Sequence, residues 1–301
     1  MRRYTAEGAL VLAAFFFGVT FPLVHDALED VTPFAYLTLR FAIAVVVLLP
    51  FVVHVLRSQP VERRTLLHAG LVAGVLLFAG YAFQTVGLQY TSPSTSAFIT
   101  GLYVVMTPIV ESIVRRHPPA LSVCVGIIIA TVGLFLLTGA ELDVGKGELL
   151  TLGCAAAFAI WIVYQGAYAN RLHPLPFTSL QMAVVVVLCL PATAVQGTGH
   201  VTALAWFAIA FTGVVCSALA LSLQLWGQKR IAPSRAALIL LSEPVFAGVA
   251  GYVNGERLGA VELLGAAVIL AGIAVSELVP GRDVADAQDA IVETELEARL
   301  H

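Results

Sequence analysis

One carboxylate lies deep inside an apolar stretch of the chain. Residues 233–256 read PSRAALILLSEPVFAGVAGYVNGE, long enough to cross a bilayer, and Glu243 stands near the middle with Pro244 directly after it. A carboxylate at that depth is costly in hydrocarbon and faces a bundle interior or a wet cavity. Pro244 lacks an N–H, so a carbonyl one turn earlier needs another partner. Glu243 could bind a proton or a cationic substrate, or it could tie helices together at the proline break.

A second set of polar residues recurs every three or four positions inside the apolar stretch 93–114: Ser96, Thr100, Tyr103, Thr107 and Glu111. Such residues share one helix face, and lipid would not tolerate this one. The stripe is either a set of interhelical hydrogen bonds or the wall of a cavity, and we favour the wall for Thr100 and Tyr103, with Ser96 as a further candidate. Glu111 has Arg115 four residues on, which favours an ion pair at the membrane interface.

Two amides stand in further apolar stretches. Gln84 shares a helix face with Gly80 and has Tyr81 close by, while Gln224 shares a face with Ser217. Such amides could grip a polar group of a substrate, or they could fasten neighbouring helices. The pattern favours neither role, and we include Tyr81, Gln84 and Gln224 among the candidate cavity residues.

Arg40 is the cation inside the apolar phrase LTLRFAIAVVV. It could extend its side chain to the nearer interface, pair with Asp26 or Glu29, or hold a substrate carboxylate. We favour the structural pairing.

Aromatic residues mark one more stretch, where Phe158, Trp161 and Gln165 lie on one helix stripe. Aromatic residues at this spacing usually serve packing or lipid contact. If Trp161 and its neighbours reach a cavity, that cavity suits amphipathic or aromatic solutes better than bare ions.

None of these residues forms a catalytic signature. The seven histidines are scattered, and no HExxH, GxSxG or Walker-type phrase occurs. The four cysteines lie in apolar runs without a CxxC pair, as expected for buried thiols. We therefore expect no enzyme activity, no catalytic residue, no metal, no cofactor and no nucleic-acid partner.

The elements that hold these residues are membrane helices. The 301-residue chain is 59% hydrophobic and 12% charged, whereas soluble domains are about half apolar and about a quarter charged. Stretches of roughly 17–25 apolar residues are the length of a spanning helix. They fall near residues 7–24, 34–55, 67–90, 93–114, 120–138, 147–167, 176–196, 202–227, 233–254 and 259–279.

The distribution of cations predicts the orientation of these ten spans. With the N-terminus inside, thirteen of the sixteen Lys and Arg residues face the cytoplasm, and the outer loops keep only Lys146 and Arg257. Cytoplasmic loops are the ones enriched in Lys and Arg. We therefore expect a multi-pass protein of the inner membrane with both termini cytoplasmic.

The two halves of the chain resemble each other. Gln84, Gly87, Pro93, Ser94 and Ala97 recur as Gln224, Gly227, Pro233, Ser234 and Ala237, each 140 positions later. Glu7 and Phe17 recur 141 positions later, and Gly126 and Gly133 recur 139 positions later. Because five spans are an odd number, the second copy enters the membrane upside down, as in alternating-access transporters. We expect one repeat over residues 1–138, an inverted repeat over 139–280, and a polar, acidic cytoplasmic tail over 281–301.

The phrases LSEPVFAGVAGYVNGERL, TSAFITGLYVVMTPIV and LGAAVILAGIAV resemble the EamA-type transporters of the drug/metabolite transporter superfamily. The resemblance covers residues 7–279. It implies an all-α integral membrane protein whose ten helices form two inverted five-helix repeats around a central cavity. Spans 3, 4, 8 and 9 would line this cavity, spans 1, 2, 6 and 7 would contribute to it, and spans 5 and 10 would pack outside. Family members commonly export amino acids, other metabolites or drugs.

The first half departs from this pattern. The counterpart of Glu243-Pro244 is Thr107-Pro108, at an offset of 136 instead of 140. The cavity is therefore expected to be asymmetric, with no twin of Glu243 in span 4.

These observations predict a secondary transporter that exports small amphipathic metabolites, such as amino acids, through a cavity near the middle of the bilayer. Two alternatives remain: multidrug efflux by the same fold, and a membrane-embedded enzyme acting on lipids. The partners are a small-molecule substrate and the lipid bilayer. The residues expected to help the repeats bend against each other are Pro93, Pro108, Pro233 and Pro244.

Overall fold

The computed structural model describes residues 2–91, 93–116, 118–139, 145–253 and 259–278, and this part of the chain is helical apart from its connections and one isolated β-bridge. The α-helices are α1 (Arg2–Val19), α2 (Phe21–Asp30), α3 (Pro33–Ser58), α4 (Arg63–Gly87), α5 (Pro93–Gly101), α6 (Tyr103–Arg115), α7 (Leu121–Thr138), α8 (Lys146–Tyr168), α9 (Pro174–Gln196), α10 (Ala203–Thr212), α11 (Leu221–Gly227), α12 (Pro233–Leu240), α13 (Glu243–Val253) and α14 (Ala260–Leu278). A π-helical segment, Gly213–Ala220, joins α10 to α11.

Seven helices within the described residues are long and apolar enough to cross a membrane. They are α3, α4, the joined α5–α6, α7, α8, α9 and the joined α10–α11, and two shorter apolar helices cover Tyr4–Val19 and Ala260–Ser276. Large apolar side chains on α7 and α10 are exposed, as a lipid-facing surface requires. The prediction of an all-helical, multi-pass membrane protein is therefore confirmed. The predicted tail, residues 281–301, and the phrase from Asn254 to Glu256 lie outside the described residues.

Three of the expected spans are interrupted. α1 ends at Val19, and the Thr20 hydroxyl donates to the carbonyl of Phe16 at 2.8 Å. α12 ends at Leu240, and α13 begins at Glu243 directly before Pro244. A hydroxyl that donates a hydrogen bond to a carbonyl of the preceding turn satisfies a backbone acceptor that would otherwise lack a partner where the helix is interrupted.

The interruption of span 4 does not lie at Pro108. α5 ends at Gly101, α6 begins at Tyr103, and α6 continues through Pro108 to Arg115. Tyr103, the first residue after this break, therefore lies 140 positions before Glu243, the first residue after the break in span 9, which is the offset between the two halves. Gly101 is a weak helix former and is packed against the Leu134 side chain of α7, which accounts for a break here. Of the other prolines, Pro93 and Pro233 are the first residues of α5 and α12, where a missing N–H has no cost.

The helices of the two halves pack in corresponding pairs. α4 contacts α8 and α9, and correspondingly α11 contacts α1 while the π-helical segment contacts α3. A Cβ on Gly74 would lie 3.0 Å from the carbonyl oxygen of Gln181, and one on Gly213 would lie 2.8 Å from that of Arg40. Gln181 and Arg40 thus occupy equivalent backbone positions, 141 residues apart.

α7 and α14 form a peripheral pair whose backbones approach each other closely. A Cβ on Gly126 would lie 2.6 Å from the carbonyl oxygen of Gly272, and one on Gly133 would lie 2.7 Å from that of Gly265. Small residues at four- or seven-residue spacing let helix backbones approach in this way. The glycines that repeat at an offset of 139 therefore lie in one interface.

Candidate functional site

A cavity of about 400 Å³ lies between the two halves of the helix bundle. Its wall includes residues of α1–α4, the α5–α6 break, α8, the π-helical segment, α11, α12 and the first residue of α13. Glu29 and Gln89, both exposed, lie at its rim beside the α2–α3 and α4–α5 connections. We call this side the open face and the opposite side, with the α6–α7 and α11–α12 connections, the closed face.

Seven of the eight residues predicted from the sequence line this cavity: Tyr81, Gln84, Thr100, Tyr103, Trp161, Gln224 and Glu243. Ser96 does not line it, because its side chain is buried nearer the start of α5. Helical spacing showed that Ser96 and Thr100 share a face, but it did not show at what depth the cavity begins.

The two amides differ in their partners. Gln84 donates through Nε2 to the Thr100 hydroxyl at 3.4 Å, a long contact between α4 and α5. Gln224 is 2% exposed, and its Nε2 has no hydrogen-bond partner within the described part of the chain. A buried donor without a partner is costly, so the Gln224 amide is available to a bound solute or to water.

Glu243 lies at the break between α12 and α13, where its carboxylate is partly accessible from the cavity. Among the described residues, no hydrogen bond or ion pair joins its carboxylate to a neighbouring helix. The contact of Glu243 with α1 is made by its backbone, because a Cβ on Gly18 would lie 2.4 Å from the Glu243 carbonyl oxygen. Of its two proposed roles, this placement favours the one as a binding group. In the structure, the counterpart of Glu243 in the first half is Tyr103, which lies 140 positions earlier and lines the same cavity. The alignment of the two prolines had instead paired Glu243 with Thr107.

Arg40 is the principal cavity residue that sequence reasoning placed elsewhere. It lines the cavity, is 6% exposed, and donates through Nε to the Ser217 hydroxyl at 2.8 Å. Its guanidinium carbon lies 5.5 Å from the ring centroid of Tyr81, within range of a cation–π contact. Glu29, one of its two expected partners, makes no ion pair with it within 4 Å, while the Asp26 side chain lies outside the described residues. The signal in the sequence was a cation inside an apolar span, one to two turns from its predicted outer end, at a position where the second half carries the neutral Gln181.

Aromatic side chains form much of the remaining wall. The Phe158 ring lies edge-on to Tyr81 with centroids 5.4 Å apart, and Trp161 donates from its indole nitrogen to Oε1 of Gln181 at 2.7 Å. Tyr36, which the sequence analysis did not single out, also lines the cavity, and its hydroxyl lies 2.8 Å from that of Thr212. These fixed rings offer an apolar surface of defined shape to a solute.

One contact closes the opposite face. Glu111 of α6 accepts a hydrogen bond from the Ser234 backbone nitrogen at 2.9 Å, accepts another from the Ser234 hydroxyl, and pairs with Nε of Arg115 at 3.1 Å. The carboxylate therefore joins the first half to the N-terminus of α12, where a helix dipole favours an anion. The predicted Glu111–Arg115 pair is present, together with the Ser234 contact between the halves.

The arrangement is suited to binding. Fixed aromatic rings, free amide and carboxylate groups and one guanidinium converge on a space large enough for a small organic molecule. Within the described residues no cluster of three or more His, Cys, Asp or Glu could hold a metal ion.

A bundle of apolar helices with broken segments around a polar cavity defines a membrane transport protein. The profile of the EamA-like transporter family matches residues 5–139 and again residues 145–278. The chain belongs to the EamA-like transporter family, which confirms the resemblance seen in the sequence.

Relatives and a solved structure agree with this assignment. An uncharacterized transporter of Archaeoglobus fulgidus is 32% identical over 280 residues, which cover 92% of this chain and 87% of the relative. The uncharacterized transporter YyaM of Bacillus subtilis is 24% identical, with 86% and 88% covered. A protein of known crystal structure superimposes with a TM-score of 0.77 at 18% identity, covering 92% of this chain and 97% of that protein, and so shares the fold.

Proposed function

We propose that this protein is a secondary transporter that exports small amphipathic metabolites, amino acids or similar compounds, across the inner membrane by alternating access. The observation that carries the proposal is the cavity, which combines aromatic walls with Arg40, Gln224 and Glu243 and opens toward one face. A solute with an apolar body and polar ends would contact both kinds of surface.

The proposed scaffold is ten spans in two inverted five-helix repeats, over residues 1–138 and 139–280. Three observations support it. The family profile matches the chain twice, helix pairs in one half have counterparts in the other, and Arg40 and Gln181 occupy equivalent backbone positions. Two repeats of opposite orientation can exchange conformations, and that exchange moves a central site from one side to the other.

In the proposed orientation the open face is the outer face. The α3–α4 and α6–α7 connections, on the opposite side, are flanked by five arginines, Arg57, Arg63, Arg64, Arg115 and Arg116, as is typical of cytoplasmic connections. The structure then represents an outward-open state, in which the Glu111–Ser234 contact holds the cytoplasmic side closed. Export requires this contact to open so that solute can reach the cavity from the cytoplasm.

Flux measured in proteoliposomes tests the transport function. A panel of labelled amino acids and cationic drugs is assayed with and without an imposed pH gradient, and liposomes without protein serve as the control. Saturable movement of amino acids is expected. Absence of saturable flux for every compound would remove the proposal.

Multidrug efflux is the second candidate, favoured by the aromatic walls of Phe158, Trp161 and Tyr36. The same panel separates the two functions. Movement of the drugs without the amino acids would establish efflux in place of metabolite export.

A further inference from the structure

The Arg40 guanidinium is buried in a cavity that supplies it with neutral partners. Its Nε–H is used by Ser217, and the Tyr36 hydroxyl also faces it. Within the described residues no carboxylate lies within 4 Å of its nitrogens. A guanidinium has five N–H donors, and a buried charge that lacks a counter-ion is costly. The terminal nitrogens therefore offer a forked donor to an anion that enters the cavity.

Helix packing does not account for the charge at this position. The repeat mate, Gln181, occupies the same backbone position in the second half and joins α9 to α8 through a neutral amide that accepts from Trp161. A neutral side chain thus performs the structural task there. The positive charge occurs only at Arg40, the member of this pair that lines the cavity.

We propose that Arg40 binds the carboxylate of the transported solute, an inference that rests on the transport function proposed above. Arg pairs with a carboxylate through two parallel N–H···O bonds, and the rings of Tyr81 and Phe41 beside the guanidinium limit the directions of approach. Glu243 lines the same cavity, and its carboxylate would face the amine or apolar part of the solute instead of its carboxylate. The solute is then an organic carboxylate with an apolar body, oriented with its acid group toward α3.

A matched trio of compounds tests this role. Phenylalanine, phenylalaninamide and phenylpropionate differ in the carboxylate or the amine while sharing the ring. Binding is measured by the thermal shift of the purified protein in detergent, and flux in proteoliposomes, for the natural protein, Arg40→Gln and Arg40→Lys. Arg40→Gln installs the residue that the second half carries, and Arg64→Gln, which removes the charge of an exposed arginine outside the cavity, serves as the matched control.

The natural protein is expected to prefer the two carboxylates to the amide by about tenfold or more, as a charge-assisted bidentate pair allows. Arg40→Gln should abolish this preference, Arg40→Lys should retain part of it, and Arg64→Gln should leave the ratio unchanged. An unchanged ratio in Arg40→Gln, or an equal loss for all three compounds, would overturn the inference. Preference of the natural protein for the amide would also overturn it while leaving the transport function standing.

A separate observation concerns buried polar side chains in the second half of the chain. Five side chains there are at least 97% buried and have a polar atom without a hydrogen-bond partner in the described part of the chain: Gln165, Thr178, Gln181, Gln224 and Gln228. Buried polar groups are normally paired. Five such groups in one part of a helix bundle therefore need an explanation.

Their repeat mates supply one. At offsets of 140 or 141, the five correspond in order to Val24, Leu37, Arg40, Gln84 and Leu88, and each of these lines the open cavity. The unpaired groups thus occupy, in the second half of the chain, the positions that line the open cavity in the first half. Gln224 also reaches this cavity, whereas the other four do not line it.

We infer that Gln165, Thr178, Gln181 and Gln228 line the second access path, which is closed in this structure and takes up water when the cavity opens to the other face. Gln224 lies where this path would meet the open cavity. This inference also rests on transport by exchange between two states. In that state the unpaired amides and the Thr178 hydroxyl would form hydrogen bonds with water. The free energy of leaving them unpaired in the closed state therefore favours opening.

Thiol labelling tests the path. In a background without the four native cysteines, Thr178→Cys is compared with Met182→Cys, one turn further along α9. Met182 is fully buried, and its mate Phe41 does not line the cavity. A membrane-impermeant reagent is applied from the closed face, with and without transported amino acid.

Thr178→Cys is expected to react at least several-fold faster than Met182→Cys and faster again during transport. Equal rates at the two positions during measured transport would overturn the inference without affecting the transport function. The cysteine-free protein is first assayed by itself to establish that it retains saturable flux.

Discussion

At the scale of single residues, Glu243 and Arg40 give the cavity two groups of opposite charge that do not pair directly with each other within 4 Å. The apolar sequence around Glu243 indicated a buried acid but left open whether it bound a ligand or joined helices. The structure places its carboxylate on the cavity and its backbone against α1, which separates the two tasks. A carboxylate in such a setting is suited to carry a proton between the two sides.

Glu243→Gln is predicted to abolish flux driven by a pH gradient while sparing exchange of solute. The amide keeps the size of the side chain but cannot take up and release a proton. Flux of labelled amino acid is measured in proteoliposomes with and without the gradient, beside counterflow without a gradient.

Gln84→Glu is the control for the general effect of a change in the cavity, because it adds a titratable group and removes none. Intact gradient-driven flux in Glu243→Gln would show that Glu243 is not the proton site.

At the scale of elements, the Glu111 carboxylate joins α6 to the start of α12 at the closed face. Glu111→Gln is predicted to weaken this closure by about 1–2 kcal/mol, since it removes the charge that accepts two hydrogen bonds at a helix N-terminus. The variant should raise the rate at which Thr178→Cys reacts from the closed face.

Arg115→Gln is the matched control. Arg115 pairs with the same carboxylate but is about one-third exposed, and such pairs contribute little. A rate in Arg115→Gln equal to that in Glu111→Gln would contradict the role assigned to the Ser234 contact.

The α7–α14 pair provides a test of packing. A Cβ on Gly133 would lie 2.6 Å from the backbone nitrogen of Ile269, so Gly133→Ala must move a helix backbone. We expect a loss of about 1–3 kcal/mol in stability, measured as a lower melting temperature in detergent.

Gly8→Ala on α1 is the control, because nothing lies within 4 Å of its Cβ position and alanine favours a helix. It should be neutral or stabilising. Equal melting temperatures for the two variants would contradict the close approach of α7 and α14.

At the scale of the whole molecule, orientation is the property that transport direction depends on. Gln59, between α3 and α4, and Gln89, at the rim of the cavity, are both exposed and lie on opposite sides of the bundle. An impermeant thiol reagent added to intact cells is predicted to modify Gln89→Cys and to leave Gln59→Cys unmodified, because the cations beside Gln59 hold that connection in the cytoplasm.

Permeabilised cells provide the control, since both cysteines should then react. The reverse pattern in intact cells would invert the proposed orientation and turn the open face toward the cytoplasm.

Much of this architecture could be read from the chain, because a bilayer imposes a length and a polarity on every helix that crosses it. The approximate extent of most helices followed from apolar length, and Gln84, Thr100 and Glu243, which were cavity candidates in the sequence, line the cavity. The family followed from the resemblance of whole phrases such as LSEPVFAGVAGYVNGERL. Gln181 lies 141 positions after Arg40, close to the offset between the halves, and each of these residues has its carbonyl oxygen next to a glycine of a neighbouring helix.

Other features were decided only by the tertiary structure. The sequence placed a bend at Pro108, but the break lies between Gly101 and Tyr103, where the contact with Leu134 is made. It placed Ser96 in the cavity and Arg40 in a structural pair, because spacing along one helix does not reveal what the neighbouring helices present at that depth. Two similar halves can be arranged with either face open. Contacts between the halves, such as that of Glu111 with Ser234, select one arrangement, and only the folded chain brings them together.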